Sequence, residues 1–371
     1  MSHISRRNFM KTSALGASAA ALSLSANIGC TRFGTSGNNI SKEDSVAQGG
    51  PVANRSSGSD VIRVGMIGLD TSHCIAYTKH FAENPELGVQ VVWVYPSFSQ
   101  DIQTSRERVE GYKKEISEKY QVNVVDSAEQ IAELADAIMI ESNDGRRHLK
   151  DLQAVVAAGK PTYIDKPFAA SLGDAKAMVK LIKKHKLPCF STSAMRFDGA
   201  IQQVLAEQEE KFGKIMGIDV YTPAYTEPTN PGLFWYGVHG VEMIYTLMGR
   251  GCQSVSTTAF PQSEMNVGIW SDERICTMRG IRSVEGKINA HVGYGITVLR
   301  EKGIPITFDR KGDSYPNFIN ALVKFFKTKE PPVDIEDTLE ICAFMDAANK
   351  SAQKNSVHVE LDLPPSASRP A

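Results

Sequence analysis

Between residues 61 and 192 the chain alternates short apolar runs, most of them ending in a polar cluster, with segments of helical character. Strands are expected at 61–67 (Val-Ile-Arg-Val-Gly-Met-Ile), 89–95, 122–125, 137–140, 161–164 and 189–192. Runs of four to seven residues this apolar read as strands buried on both faces, as in parallel sheets. Helices are expected through Phe81, along the charged stretch from Arg106 to Lys119, and over 127–134, 148–159 and 172–186. A βαβα rhythm of this kind implies a doubly wound parallel sheet. Such sheets take ligands in the crevice outside the carboxyl ends of their strands. The polar clusters following the strands are therefore the first candidates for chemistry.

Four of these clusters matter. After the fifth strand comes Asp165-Lys166-Pro167, in which the proline sets the backbone and biases Lys166 to an extended conformation. Read without its surroundings, it is also an ordinary polar strand-to-helix turn. The first strand leads into Gly68-Leu-Asp-Thr-Ser-His73, where a dinucleotide fold places its glycine-rich loop. Gly68 stands at the first glycine of GxGxxG, Asp70 at the second and His73 at the third. An Asp at the second position brings bulk and like charge to where a pyrophosphate meets the backbone. Thr71 or Asp70 suits the helix N-cap, and Ser72 follows it. Beyond the second strand, Ser97 with Ser99 and nearby arginines is a candidate for the 2′-phosphate of NADP, in place of the acidic residue usual for NAD. The fourth cluster runs from Glu141 to His148, with His148 opening a helix that ends at Gly159.

The remaining chain differs in composition. A strand at 214–221 is followed by a Pro- and Thr-rich loop to Pro231, a helix from Phe234 through His239 to Met248, and alternating strands over 254–307. Helices at 315–327 and 335–351 and a strand at 357–361 close the chain. The expected organisation is an α/β protein: a doubly wound domain over 61–190, then an α/β domain over 191–361 with an open, mainly antiparallel sheet, and a loose tail at 362–371. Trp235 and Tyr236 suit stacking against a sugar ring or a nicotinamide.

Ahead of both lies a different kind of segment. Ser5-Arg-Arg-Asn-Phe-Met-Lys11 and the alanine-rich run after it mark residues 1–30 as a twin-arginine export signal. Cys30 is a candidate lipid anchor, and 31–60 has the composition of a disordered tether. Periplasmic or other exported location is the expectation, and an exported enzyme must keep its cofactor tightly bound and recycle it in place. A formal net charge of -1 argues against a nucleic-acid surface. The other five cysteines lack metal spacing, so buried thiols and no metal are expected.

The order of parts resembles the Gfo/Idh/MocA family of NAD(P)-dependent sugar oxidoreductases: Gly68, His148, Ala158-Gly-Lys160, Asp165-Lys166-Pro167 and Gly237-Val-His239. The resemblance implies a Rossmann domain, an NAD or NADP cofactor held by the Gly68–His73 loop, Ser97, Glu141, His148, Asp165 and Lys166, and a homodimer or tetramer. It makes Lys166 and His239 the catalytic pair for a sugar, polyol or glycoside hydroxyl, with redox-neutral glycoside cleavage as a variant. The family Asp four residues before the histidine is Trp235 here, so His239 needs another partner, Lys166 or Glu242. The alternative is a cofactor-free member acting as a carbohydrate-binding protein or a non-redox lyase or hydrolase.

Overall fold

The computed structural model describes residues 61–363, except 208, 285, 286, 289–292, 304, 310, 311 and 313. The twin-arginine segment, the tether with Cys30 and the tail from 364 lie outside the described residues.

The first half alternates as the apolar runs require. Its elements are β1 (Ile62–Ile67), α1 (Ser72–Glu83), β2 (Val89–Tyr95), α2 (Gln103–Tyr120), β3 (Asn123–Val124), α3 (Ala128–Leu134), β4 (Ala137–Ile140), α4 (Gly145–Val155), β5 (Thr162–Ile164), α5 (Leu172–His185) and β6 (Cys189–Ser191). The six strands pair in parallel in the order β3-β2-β1-β4-β5-β6. All four residues of β4 are buried, whereas β3 is a two-residue exposed edge. Side-chain caps set the helix starts: Thr71 for α1, Asp144 for α4 and Ser171 for α5. Ser171 also donates to the Asp174 carboxylate while accepting from the Asp174 N–H, a reciprocal cap.

The second half contains α6 (Gly199–Ala206), α7 (Glu209–Phe212), β7 (Ile215–Pro223), α8 (Val238–Met248), β8 (Cys252–Ala259), β9 (Ser263–Trp270), β10 (Ile275–Ile281), β11 (Ser283–Val284), β12 (Lys287–Ile288), β13 (Gly295–Arg300), β14 (Ile306–Asp309), α9 (Ser314–Thr328), α10 (Ile335–Gln353) and β15 (Val359–Glu360). Seven strands form one sheet in the order β14-β13-β7-β10-β9-β8-β15, antiparallel except for β7 beside β10. β9 alternates half-buried and buried residues along its length. One face is therefore covered, by α8 and α10, and the other carries Met265, Val267, Ile269 and the exposed Ile275. The architecture is the expected one, a doubly wound parallel sheet followed by a mostly antiparallel open sheet.

One element crosses between the halves. α9 lies late in the chain, yet Phe318, Leu322 and Phe325 pack with Val64, Met66, Met139, Tyr163 and Phe190 on one face of the parallel sheet. Phe318 sits 5.3 Å from the Tyr163 ring, and Phe325 meets Phe190 edge-on at 4.9 Å. The opposite face, Ile138, Ile140 and Ile164 against α3, α4 and α5, merges with the core under the second sheet.

α8 starts later than its sequence suggests. A 3-10 turn at Gly232–Phe234 precedes it, and the first helical residue is Val238. Pro231 sets the entry, and Gly237 packs so closely that a Cβ there would meet Leu233 at 2.4 Å. Trp235 and Tyr236 consequently lie in the turn.

Candidate active site at the carboxyl edge of the parallel sheet

Three strand ends converge. β1 delivers the turn from Gly68, β4 delivers Glu141, and β5 delivers Asp165 and Lys166. Gly68 has φ +108, and a Cβ there would lie 2.3 Å from the Ser142 nitrogen, so the β1 and β4 ends touch backbone to backbone.

Asp165 is the hub. It is buried, its Oδ1 accepts from the Tyr163 hydroxyl at 3.0 Å, and its Oδ2 lies 2.7 Å from His73 Nδ1 and 3.9 Å from Lys166 Nζ. Burial alone would raise its pKa, but the His73 imidazole and the Lys166 ammonium, with the His73 and Tyr163 hydrogen bonds, hold it well below the usual carboxylate range. Glu141 is the opposite case. It is fully buried, and neither carboxylate oxygen has a hydrogen-bond partner. Burial, and then the Asp165 charge, push its pKa well above the ordinary value despite Lys166.

His73 reaches Asp165 from the first turn of α1 and is flanked by Tyr77 at 5.7 Å and Tyr315 at 5.9 Å. Tyr315 comes from α9. Tyr236 packs at a tilt on Tyr225 at 4.8 Å and edge-on against His239 at 4.9 Å. Tyr294 approaches His239 edge-on at 5.9 Å. Two aromatic groups result, Tyr77 and Tyr315 around His73, and Tyr236 and Tyr294 around His239.

His239 Nδ1 lies 2.7 Å from the Ser193 hydroxyl. The Ser193 oxygen already accepts from the Met195 N–H, which leaves its proton available for Nδ1. Glu242 is engaged elsewhere: its Oε1 accepts from Arg196 Nε at 2.5 Å and from the Thr192 hydroxyl at 2.7 Å. Lys166 faces Asp165. Ser193 is thus one hydrogen-bond partner of His239. Trp235, named with Tyr236 for stacking, is half-buried beside the turn.

The other sequence candidates have structural surroundings. Asp70 is buried and turned inward, its Oδ1 accepting from the Asn143 N–H at 2.9 Å. Burial raises its pKa against the hydrogen bond from Asn143. Its charge is therefore not presented at the loop surface. Thr71 caps α1 by accepting from the His73 N–H, and Ser72 is exposed at the helix start. His148 is buried between the Ser142 carbonyl at 2.7 Å and the Phe168 carbonyl at 3.2 Å, tying the β4 loop to the β5 loop. Ser97 is buried as well, donating to Asp151 and accepting from Arg147 at 2.9 Å. Beside it Asp144 accepts from Ser99, Arg146 and Asn230. Asn230 brings the 222–231 loop onto the parallel-sheet domain.

Tyr315, Tyr225, Tyr294, Ser193 and Asn230 carried no usable sequence signal. Only the Pro- and Thr-rich composition of the 222–231 loop pointed toward Asn230.

The residues present fit a dinucleotide. α1 has no acidic side chain in its first turn, Asp70 is withdrawn, Gly68 closes the turn, and Ser72 with the first amides of α1 offers donors to a pyrophosphate. The fold is a six-stranded parallel sheet followed by a seven-stranded, mostly antiparallel sheet, with the polar cluster at the carboxyl edge of the first. Residues 62–193 match the Gfo/Idh/MocA family model, described as an oxidoreductase family with an NAD-binding Rossmann fold. A curated relative, the uncharacterized oxidoreductase YhhX of Escherichia coli (strain K12), is 32% identical over 112 residues. That match spans 28% of this chain and only 32% of the relative.

Solved structures share the fold. GenD2 from gentamicin A biosynthesis, in complex with NAD, superposes with a TM-score of 0.67 at 14% identity, covering 85% of this chain and 100% of that one. A putative myo-inositol dehydrogenase from Sinorhizobium meliloti 1021 gives 0.66 at 16%, over 81% and 100%. Scyllo-inositol dehydrogenase from Lactobacillus casei, with NAD(H) and scyllo-inositol bound, gives 0.65 at 16%, over 81% and 98%.

Proposed function

We propose that the protein is an NAD-dependent oxidoreductase of a sugar, polyol or glycoside hydroxyl, exported with its cofactor bound. The observation that carries this reading is Lys166 held beside the buried Asp165 at the carboxyl edge of the parallel sheet. The inositol and sugar-pathway neighbours support the substrate class. NAD, when bound, supplies the hydride acceptor. Ser72 and the α1 N-terminus would hold its pyrophosphate.

This chain's residues do the rest. Asp165, kept ionised by His73 and Lys166, fixes the Lys166 head at the edge of the crevice. The ring of His239, oriented by Ser193, is the second group able to take the hydroxyl proton. Tyr225, Tyr236 and Tyr294 offer ring faces suited to a carbohydrate.

The paired arginines at Arg6 and Arg7 support export, and export supports a tightly held cofactor regenerated by a second substrate or by a redox-neutral cycle of glycoside cleavage. The half-buried apolar face of the second sheet supports a homo-oligomer.

The test is to denature the mature protein, purified without added cofactor, and assay released NAD(H) and NADP(H) by mass spectrometry. Near-stoichiometric NAD(H) is expected. If no dinucleotide is released and none binds when added, the hydride reading falls and a non-redox or carbohydrate-binding role replaces it. Lys166→Ala should abolish turnover while ligand binding persists.

A further inference from the structure

The cluster at the strand ends has a property that hydride transfer does not use. Glu141 is fully buried, with both carboxylate oxygens lacking hydrogen bonds, at a point where Asp165 and His73 also present ligand atoms. A buried carboxyl with two unmet oxygens costs several kcal/mol, and native proteins leave few of them. One ligand atom from each of His73, Glu141 and Asp165 lies within 4.8 Å of the others. We propose that His73, Glu141 and Asp165 form a binding site for one first-row divalent transition-metal ion, such as Zn2+ or Mn2+.

The donor set selects the ion. One imidazole nitrogen and two carboxylates suit zinc or manganese better than the all-oxygen shells of calcium or magnesium. Around a bond length of about 2.1 Å, neighbouring ligand atoms stand about 3–3.5 Å apart. The 2.7 Å between His73 Nδ1 and Asp165 Oδ2 needs only a small opening to reach that spacing. Each ligand is already oriented. The Tyr163 hydroxyl holds Asp165 Oδ1, turning Oδ2 toward His73, and Tyr77 and Tyr315 flank the imidazole. Glu141 follows a fully buried strand and is tied back by its N–H to the Ile67 carbonyl.

Three protein ligands leave positions open, the arrangement of an ion that takes water or a substrate oxygen. The His73 side chain keeps 19% of its surface exposed, while Asp165 is buried. An ion there would bind a hydroxyl of the substrate beside the proposed base. That role rests on the proposed oxidoreductase activity; the site itself does not.

The experiment uses the full mature chain, purified without chelators or added dinucleotide. Metal content is read by inductively coupled plasma mass spectrometry, and Co2+ is titrated into EDTA-treated protein while visible absorption is followed. About one transition ion per chain is expected, with a Co2+ spectrum of a nitrogen–oxygen site and a rise in Tm on adding Zn2+. Glu141→Gln and His73→Gln should each weaken Co2+ binding by about 100-fold or more, and the milder Tyr163→Phe by about 10-fold. If wild-type protein retains no ion and gives no Co2+ spectrum, the site does not exist. Unchanged Co2+ binding in the foldable variants, Tyr163→Phe included, also overturns it. Dinucleotide release is measured separately, so loss of the NAD reading leaves this result standing, and the reverse.

Discussion

Replacing Gly68 by alanine tests whether the first and fourth strand ends are held backbone to backbone. At φ +108 a side chain is strained, by about 1–3 kcal/mol. The added Cβ would also meet the Ser142 nitrogen at 2.3 Å and the Glu141 carbonyl carbon at 2.7 Å. Neither atom belongs to a side chain that can rotate away, so the two loops must separate. Separation loosens the bond from the Asn143 N–H to Asp70, worth about 1 kcal/mol. Together these give a loss of about 2–4 kcal/mol, a large share of the 5–15 kcal/mol typical of a folded protein. The control is Gly159→Ala, at φ +64 with nothing within 4 Å of its Cβ, which should cost only about 1–2 kcal/mol. Urea unfolding of both variants at equal slope gives the comparison. If the two variants lose the same stability, the close approach at Gly68 is not what that residue is for.

Phe318→Ala, which empties the space between Tyr77, Tyr163 and Phe197, should cost about 3–5 kcal/mol in the same urea assay. Asp144→Asn tests a pH dependence. Burial raises the Asp144 pKa, but Arg146, Ser99 and Asn230 bring it below the ordinary value, so the ionised form stabilises the fold. The advantage of wild type over the variant should be full above about pH 4 and fade as pH falls through the lowered folded pKa; a constant difference across that range would contradict it. Ser193→Ala should lower kcat about 10-fold, the value of one hydrogen bond to His239, shift the pH profile and leave KM nearly unchanged.

Much of the fold was legible because parallel strands buried on both faces announce themselves as apolar runs, and β4 is the clearest case. The polar cluster after each strand followed from the same topology, so Gly68, Glu141, Asp165 and Lys166 were found without knowing a single contact. Orientation was not legible. Asp70 looked like a charge in the path of a pyrophosphate, and only its bond to Asn143 reveals that it turns inward. The helix around His239 began later than its composition suggested, since Pro231 and the packing of Gly237 interrupt it. The convergence of His73 with Asp165, 92 residues apart, leaves no spacing signature, because four crossovers lie between them. Tyr315 was invisible for the same reason.

The position of α9 in the chain also governs the order in which the molecule can be completed. Ribosomes deliver β1 through β6 long before Phe318, Leu322 and Phe325, which seal one face of that sheet. Until Thr328 emerges, Met139, Tyr163 and Phe190 lack their cover, and the nascent parallel-sheet half is a sticky intermediate. A fragment stopping near residue 193 would retain every strand of the parallel sheet and still precipitate. The parallel-sheet half is thus finished only by a helix synthesised near the end of the chain.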